Sequence, residues 1–310
     1  MNKKTLILGG ALLVLIILAY LYQGPLKKWQ NNLGKPKNIL AKVDLAKIDK
    51  IEVISNGNTA VLTKQIITST ESDTARWKYD NSKDFYVDSV IMSSLLGSLE
   101  KMKASEFELI SNSSERKSEF KTDSAGLIVK VYQTDKKVAD FVIGDRASDY
   151  QSSYISTSES PVTYSAKADL RDAFEQTEWR DLTIFSMPRE KIKKIRFQYP
   201  NREFTIEFKD NLWAGILPDK FTVNQEKIEK ILQIMSDLKA VEIPEQSFNN
   251  TGLDKHLIII EATGEAINNT LMVGEDRDGL YYAKRGDSDN IYLINQSDRD
   301  ELDKWIWQLR

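Results

Sequence analysis

From Thr5 to Tyr22 the chain reads TLILGGALLVLIILAYLY without a single charge, framed by Lys3-Lys4 and Lys27-Lys28. A helix rises about 1.5 Å per residue and needs about 17 to 25 apolar residues to cross a hydrocarbon core. The run therefore predicts a membrane-spanning helix, with Tyr20 and Tyr22 suited to the interface. A cleaved signal peptide would carry an apolar core of about 7 to 15 residues and a small-residue cleavage site. Here Gln23-Gly24-Pro25 follows instead. Residues 1–24 are expected as an uncleaved anchor that Gly24-Pro25 terminates. Residues 25–43, polar and lysine-bearing with Gly34 and Pro36, are expected as a linker.

Beyond the linker the apolar pattern occurs twice in the same order. Leu45 to Val53 alternates as a half-buried strand does, and Arg189 to Phe197 alternates likewise. A second strand and a tryptophan follow in each half, with Trp77 in one and Trp213 in the other. Eleven positions beyond each tryptophan (88 − 77 and 224 − 213) stands a residue suited to cap a helix, Asp88 or Asn224. Ile91, Leu95, Leu99 and Met102 then match Ile228, Leu232, Met235 and Leu238 as one apolar helical face, which reads as core. Each half continues through a polar connection into two strands, the second reaching Gly144-Asp145 or Gly274-Glu275. Two further strands follow, then a closing helix, 168–179 or 297–308. The expected fold class is α+β: a transmembrane helix followed by two tandem copies of an antiparallel-sheet-plus-helices unit, 44–183 and 187–310.

Composition narrows the function classes. Hydrophobic residues make up 41% and charged residues 29%, with a net charge of -3. These are ordinary values for folded globules and offer no basic surface for nucleic acid. The chain has no cysteine, which removes disulfides and thiolate chemistry. His256 is the only histidine, so zinc would need carboxylates for its remaining ligands. No phosphate-binding glycine loop occurs. Asp276-Arg277-Asp278-Gly279 starts like a calcium loop, but a hairpin turn accounts for it better because the later ligand positions do not fit. No catalytic, cofactor or metal residues are singled out, and no nucleotide is expected to bind. Candidate partner contacts are Trp305 and Trp307, which cannot both be buried easily on one helix. Within the membrane run, Gly9-Gly10-Ala11 is a small-residue patch that another span could approach.

Charge counting leaves the side of the membrane open. Lys3 and Lys4 precede the span, whereas Lys27, Lys28, Lys35 and Lys37 follow it. Taken literally this favours a cytoplasmic body, but the rule weakens for long translocated domains.

Phe141-Val142-Ile143-Gly144-Asp145 with Tyr154 downstream, and Glu178-Trp179-Arg180-Asp181-Leu182, resemble a bacterial family, domain of unknown function family 4340. The resemblance extends over nearly the whole chain. It departs at the end of the second half, Trp305-Ile306-Trp307-Gln308-Leu309-Arg310, so the Trp179-Arg180-Asp181 step is not repeated. The resemblance implies one N-terminal anchor in the bacterial inner membrane and a repeated α+β body facing away from the cytoplasm. It also implies a setting beside ABC-type transporters, including those of gliding motility, and brings no reaction with it.

The expected function is that of a noncatalytic accessory or scaffold subunit of a membrane complex. It would be held in the bilayer by residues 5–22 and would contact membrane proteins such as a transporter permease. A second reading is an extracytoplasmic module binding a glycan or peptide, and a third is a carboxylate-dependent hydrolase.

Overall fold

The computed structural model describes residues 38–67, 74–80, 83–265 and 267–310. The expected anchor, with Gly9, Gly10 and Ala11, lies outside the described residues. Among those described, no helix is long and apolar enough to cross a membrane. The fold is α+β, with two large antiparallel sheets and few helices. The chain divides into two compact units. Unit 1 holds the residues up to Trp77 and Ser89–Trp179, and unit 2 holds Lys78–Asp88 and Arg180–Arg310.

Unit 1 begins with the strands β1 (Lys50–Ser55), β2 (Asn58–Ile67) and β3 (Thr74–Tyr79), the last running on into the unit 2 segment. The β1–β2 hairpin closes through Asn56-Gly57, both at positive φ. Such a two-residue turn matches the right-handed twist of the strands it joins. Helix α1 (Ser89–Ala104) follows and buries Met92, Leu95, Leu99 and Met102. Ile91, expected on this face, is only half-buried; Met92 takes the position because the stripe runs 92, 95, 99, 102. Then come β4 (Phe107–Ser111), β5 (Leu127–Gln133), β6 (Lys136–Arg146), β7 (Ser153–Ser156), β8 (Thr163–Ala166) and the one-turn helix α2 (Arg171–Phe174). The sheet order is β3-β2-β1-β5-β6-β7-β8-β4. Ile51 and Val53 of β1 and Val129 and Val131 of β5 point to one face and are buried, as period-two alternation requires.

At the start of the described chain, the Asn38 carboxamide N–H groups donate to the carbonyls of Met102, Lys103 and Ser105 at 2.8, 3.1 and 3.0 Å. The Asn38 Oδ1 accepts from the Leu40 amide at 2.8 Å. These bonds satisfy carbonyls that the end of α1 leaves without helical partners. They also tie the chain's entry to that helix end.

Unit 2 contains β9 (Thr183–Ser186), β10 (Ile192–Tyr199), β11 (Arg202–Lys209), β12 (Leu212–Leu217) and the short β13 (Phe221–Thr222). Helix α3 (Gln225–Ser236) follows, capped by Asn224, whose Oδ1 accepts from the Glu226 amide at 2.9 Å. Next are β14 (Asp237–Lys239), β15 (Ile258–Gly264), β16 (Ile267–Arg277), β17 (Leu280–Arg285) and β18 (Ile291–Asn295), then the helices α4 (Gln296–Leu302) and α5 (Ile306–Leu309). The main sheet runs β13-β12-β11-β10-β15-β16-β17-β18, so the strands up to β12 and from β15 follow the path of their unit 1 counterparts. After its main helix, each unit returns to the far edge of its sheet. In unit 1, β4 pairs with β8; in unit 2, the residues after β14 bridge Glu242 to Leu293 of β18. β14 itself pairs with β9. Leu238, expected on the helix, is therefore a buried strand residue.

The core of unit 2 is largely aliphatic and includes aromatic rings, with Phe197 stacked on Phe204 at 4.5 Å. Phe85, from the segment Lys78–Asp88, is buried in it. The closing helices are shorter than the sequence pattern implies. In unit 2 the helical path breaks at Asp303–Trp305 because the Tyr199 hydroxyl donates to the Leu302 carbonyl at 2.6 Å and accepts from the Lys304 amide at 3.0 Å. In unit 1 the Leu170 amide is taken by the Ser153 hydroxyl at 2.9 Å, and only one turn forms beyond it.

Candidate functional site

The Gly144 and Gly274 steps occupy the same place in their sheets. In each, the register to the next strand shifts directly beyond the glycine, between Ile143 and Arg146 in β6–β7 and between Val273 and Asp276 in β16–β17. A polar connection crosses the sheet there. A Cβ on Gly144 would lie 2.1 Å from the Phe120 carbonyl oxygen, and one on Gly274 would lie 2.1 Å from that of Thr251. The acid after each glycine reaches a lysine of the crossing segment: Asp145 pairs with Lys121 at 3.1 Å, and Glu275 pairs with Lys255. These are structural latches, exposed and modest in energy as ion pairs go. Tyr154 joins the first by packing on Phe120 with ring centroids 4.7 Å apart.

The remaining marker residues scatter. Trp77 is half-buried on β3, whereas Trp213 is buried on β12 against Phe208. Asp88 directly precedes α1. The Trp179-Arg180-Asp181 step straddles the division of the chain: Trp179 is buried in unit 1, and the next two residues belong to unit 2. There Arg180 donates to the Ile243 carbonyl at 3.2 Å and lies over the Phe85 ring. The Asp181 amide donates to the Tyr86 carbonyl at 2.8 Å.

Of the residues selected for contact chemistry, Trp305 and Trp307 are both on the surface, 45% and 68% exposed. Trp305 stands ahead of α5, where its amide donates to the Gln308 side chain at 2.7 Å. Its ring is held by a bracket that the sequence pattern did not reveal. The Arg202 guanidinium lies 3.7 Å from the Tyr199 ring centroid and 4.2 Å from that of Trp305. Arg202 also donates to the Lys304 carbonyl at 3.1 Å and pairs with Asp303. Tyr199 is buried, and burial pushes its hydroxyl up to about 12. The only sequence signal for this arrangement was the tyrosine and arginine flanking the β10–β11 turn.

His256 is exposed, at positive φ. Asp278-Gly279 forms a two-residue hairpin turn between β16 and β17. No cluster of three or more His, Asp or Glu side chains able to hold a metal occurs among the described residues. Unit 2 carries an open cleft of about 840 Å³ beside the start of α3, lined by Lys220, Phe221, Gln225 and Arg310 among others. Unit 1 carries one of about 610 Å³ between the end of α1 and the β4–β8 edge.

The architecture defines an α+β protein of two large antiparallel sheets, with Trp305 and Trp307 exposed near the end of the second. Its sequence matches the family described as Domain of unknown function (DUF4340) over residues 77–255 and over residues 213–307. The chain belongs to that family. No curated protein and no solved structure matches it.

Proposed function

We propose that this chain is a noncatalytic accessory subunit of a bacterial membrane complex, associated with an ABC-type transporter. In this reading residues 5–22 anchor it in the inner membrane, and its body, a tandem duplication of one α+β unit, lies on the extracytoplasmic side. The observation that carries the reading is the pair Trp305 and Trp307. Two large indoles stand in solvent at one end of unit 2, and one of them is pinned by the Tyr199–Arg202 bracket. Exposing such surface is unfavourable, and preordering an aromatic side chain lowers the entropy lost when a partner covers it. Tryptophan is also the residue most enriched where binding energy concentrates. The anchor reading is supported by the uncharged length of residues 5–22, and the duplication by the matching order of strands in the two sheets.

Native membranes solubilised in a mild detergent provide the test. A tagged copy of the chain should recover a membrane-protein partner, and Trp307→Ala should reduce that recovery without altering the amount of protein made. Recovery of the chain alone from several mild detergents would remove the proposal.

A further inference from the structure

In each main sheet one long-range strand pairing joins two hairpins: β1 lies between β2 and β5, and β10 lies between β11 and β15. The hairpins close through Ser55 opposite Asn58 and Tyr199 opposite Arg202, which makes Glu52 and Arg196 equivalent, three residues ahead of each closing pair. Across the long-range pairing Glu52 stands opposite Lys130 and Arg196 stands opposite Glu261. Both are ion pairs, with Lys130 Nζ 3.7 Å from Glu52 Oε2 and Arg196 Nη1 3.2 Å from Glu261 Oε2. Their polarity is reversed: the acid is on the earlier strand in unit 1 and on the later strand in unit 2.

The flanking positions are alike in the two pairings. Ile51 and Val53 face Val131 and Val129, while Ile195 and Phe197 face Ala262 and Ile260, all buried and apolar. Hydrophobic burial therefore distinguishes these strands by side-chain size alone. A chain holding two sheets of the same strand path can pair β1 with β15 and β10 with β5, within one molecule or between copies, and such misassembly is a characteristic failure of repeated domains. The crossed pairing would set Glu52 against Glu261 and Arg196 against Lys130. Opposite charges facing one another across strands stabilise the pairing, and like charges destabilise it. Lys50, 2.9 Å from Glu52, and Glu203, 2.8 Å from Arg196, stay beside them in either pairing and soften the penalty.

We infer that the reversed ion pair directs strand choice during folding, so that β1 takes β5 and β10 takes β15. The specificity lies in the repulsion that the wrong partner meets as much as in the attraction of the right one. Two pairs exchanged from opposite to like charge, at a few tenths of the usual cross-strand contribution each, favour the correct pairing by roughly fivefold. The inference uses only the shared strand path and the two registers, so it stands or falls apart from the membrane anchor and from any partner.

Because the chain has no cysteine, a crossed pairing can be trapped with Ile54→Cys/Ile259→Cys. In the correct registers Ile54 faces Ile128 and Ile259 faces Gln198, whereas the crossed register sets positions 54 and 259 opposite one another. Residues directly opposite in an antiparallel pair have Cα atoms about 4.5–5.5 Å apart, within disulfide range. The full-length chain carrying both cysteines is unfolded in urea and diluted into detergent under thiol–disulfide exchange. Peptide mass spectrometry then gives the ratio of crosslinked to uncrosslinked chain. That ratio should rise roughly fivefold when unit 1 receives the polarity of unit 2, in Glu52→Arg/Lys130→Glu, and likewise when unit 2 receives that of unit 1, in Arg196→Glu/Glu261→Lys. All four substitutions together restore the reversal, and the ratio should return to that of the chain bearing the cysteines alone. Equal ratios with and without either double substitution overturn the inference. A fourfold variant as crosslinked as the double ones also overturns it, because the crosslink would then follow local damage to the sheets and not strand choice.

Discussion

Gly274 lies so close beneath Thr251 that a methyl group on its Cα would sit 2.1 Å from the Thr251 carbonyl oxygen, while the Glu275 amide donates to that same oxygen at 2.8 Å. A methyl group on Gly144 would lie equally close, 2.1 Å, to the Phe120 carbonyl oxygen. Gly144→Ala and Gly274→Ala should each cost about 2–3 kcal/mol, because backbone must move to admit the methyl group. Gly97, within α1, meets nothing within 4 Å and provides the contrast. Gly97→Ala should stabilise by about 0.5–1 kcal/mol through helix propensity. Urea midpoints of the three variants decide the matter, and equal shifts would remove the close-approach argument.

Phe85 is expected to act on unit 2 despite its place in the first half of the sequence. Its ring meets Tyr292 edge-on, with centroids 5.8 Å apart and planes at 79°, and Asn290 donates to the neighbouring Asp84 carbonyl at 3.1 Å. Phe85→Ala should cost about 3–5 kcal/mol. Hydrogen exchange should quicken in peptides from 180–310, with β5 and β6 little changed. The reverse distribution would mean that Phe85 belongs to the other core.

Tyr199 should impose an alkaline limit on stability. Its folded value of about 12 lies above its ordinary value of 10.0, so the folded state retains the proton where the unfolded chain has lost it. The stabilisation is therefore complete below about pH 10 and is lost as pH rises from 10 towards 12, a span worth roughly 2–3 kcal/mol. Tyr199→Phe also loses the bonds to Leu302 and Lys304, so the informative quantity is the slope. The fall in stability between pH 10 and 12 should be shallower in the variant than in the parent, and parallel curves would count against the buried hydroxyl.

Trp305 and Trp307 should separate in their effects. Trp307→Ala should change stability by less than about 0.5 kcal/mol, as exposed substitutions do. Trp305→Ala should lose about 0.5–1 kcal/mol with the stacking on Arg202. Thermal melts of both variants check this, and a large loss in Trp307→Ala would mark it as a packing residue.

Much of the chain path was legible because the relevant forces are local. Alternation in β1, β5, β10 and β15 follows from one face being buried, and Asn224 announced α3 through its own side chain. The glycine–acid steps could be seen as repeated, but not why, since the carbonyls above them come from residues more than twenty positions away. Three features had no local mark. Tyr86-Val87-Asp88 reads as the approach to a helix whichever core receives Phe85. The helix expected over 297–308 is broken by Tyr199, a hundred residues earlier. The bracket under Trp305 likewise depends on Arg202 meeting Lys304 across the fold. Local periodicity carries no information about which distant hydroxyl or guanidinium will claim a backbone group.

The placement of Lys78–Asp88 in unit 2 has a consequence for biosynthesis. Phe85 leaves the ribosome long before Tyr292 has been translated, so its ring must wait in water while unit 1 can already fold. Nascent chains interrupted ahead of Tyr292 should present that ring to holding chaperones, and site-specific crosslinking from position 85 should capture them until the last strands emerge. Crosslinks that vanish in shorter chains would mean the ring finds shelter earlier.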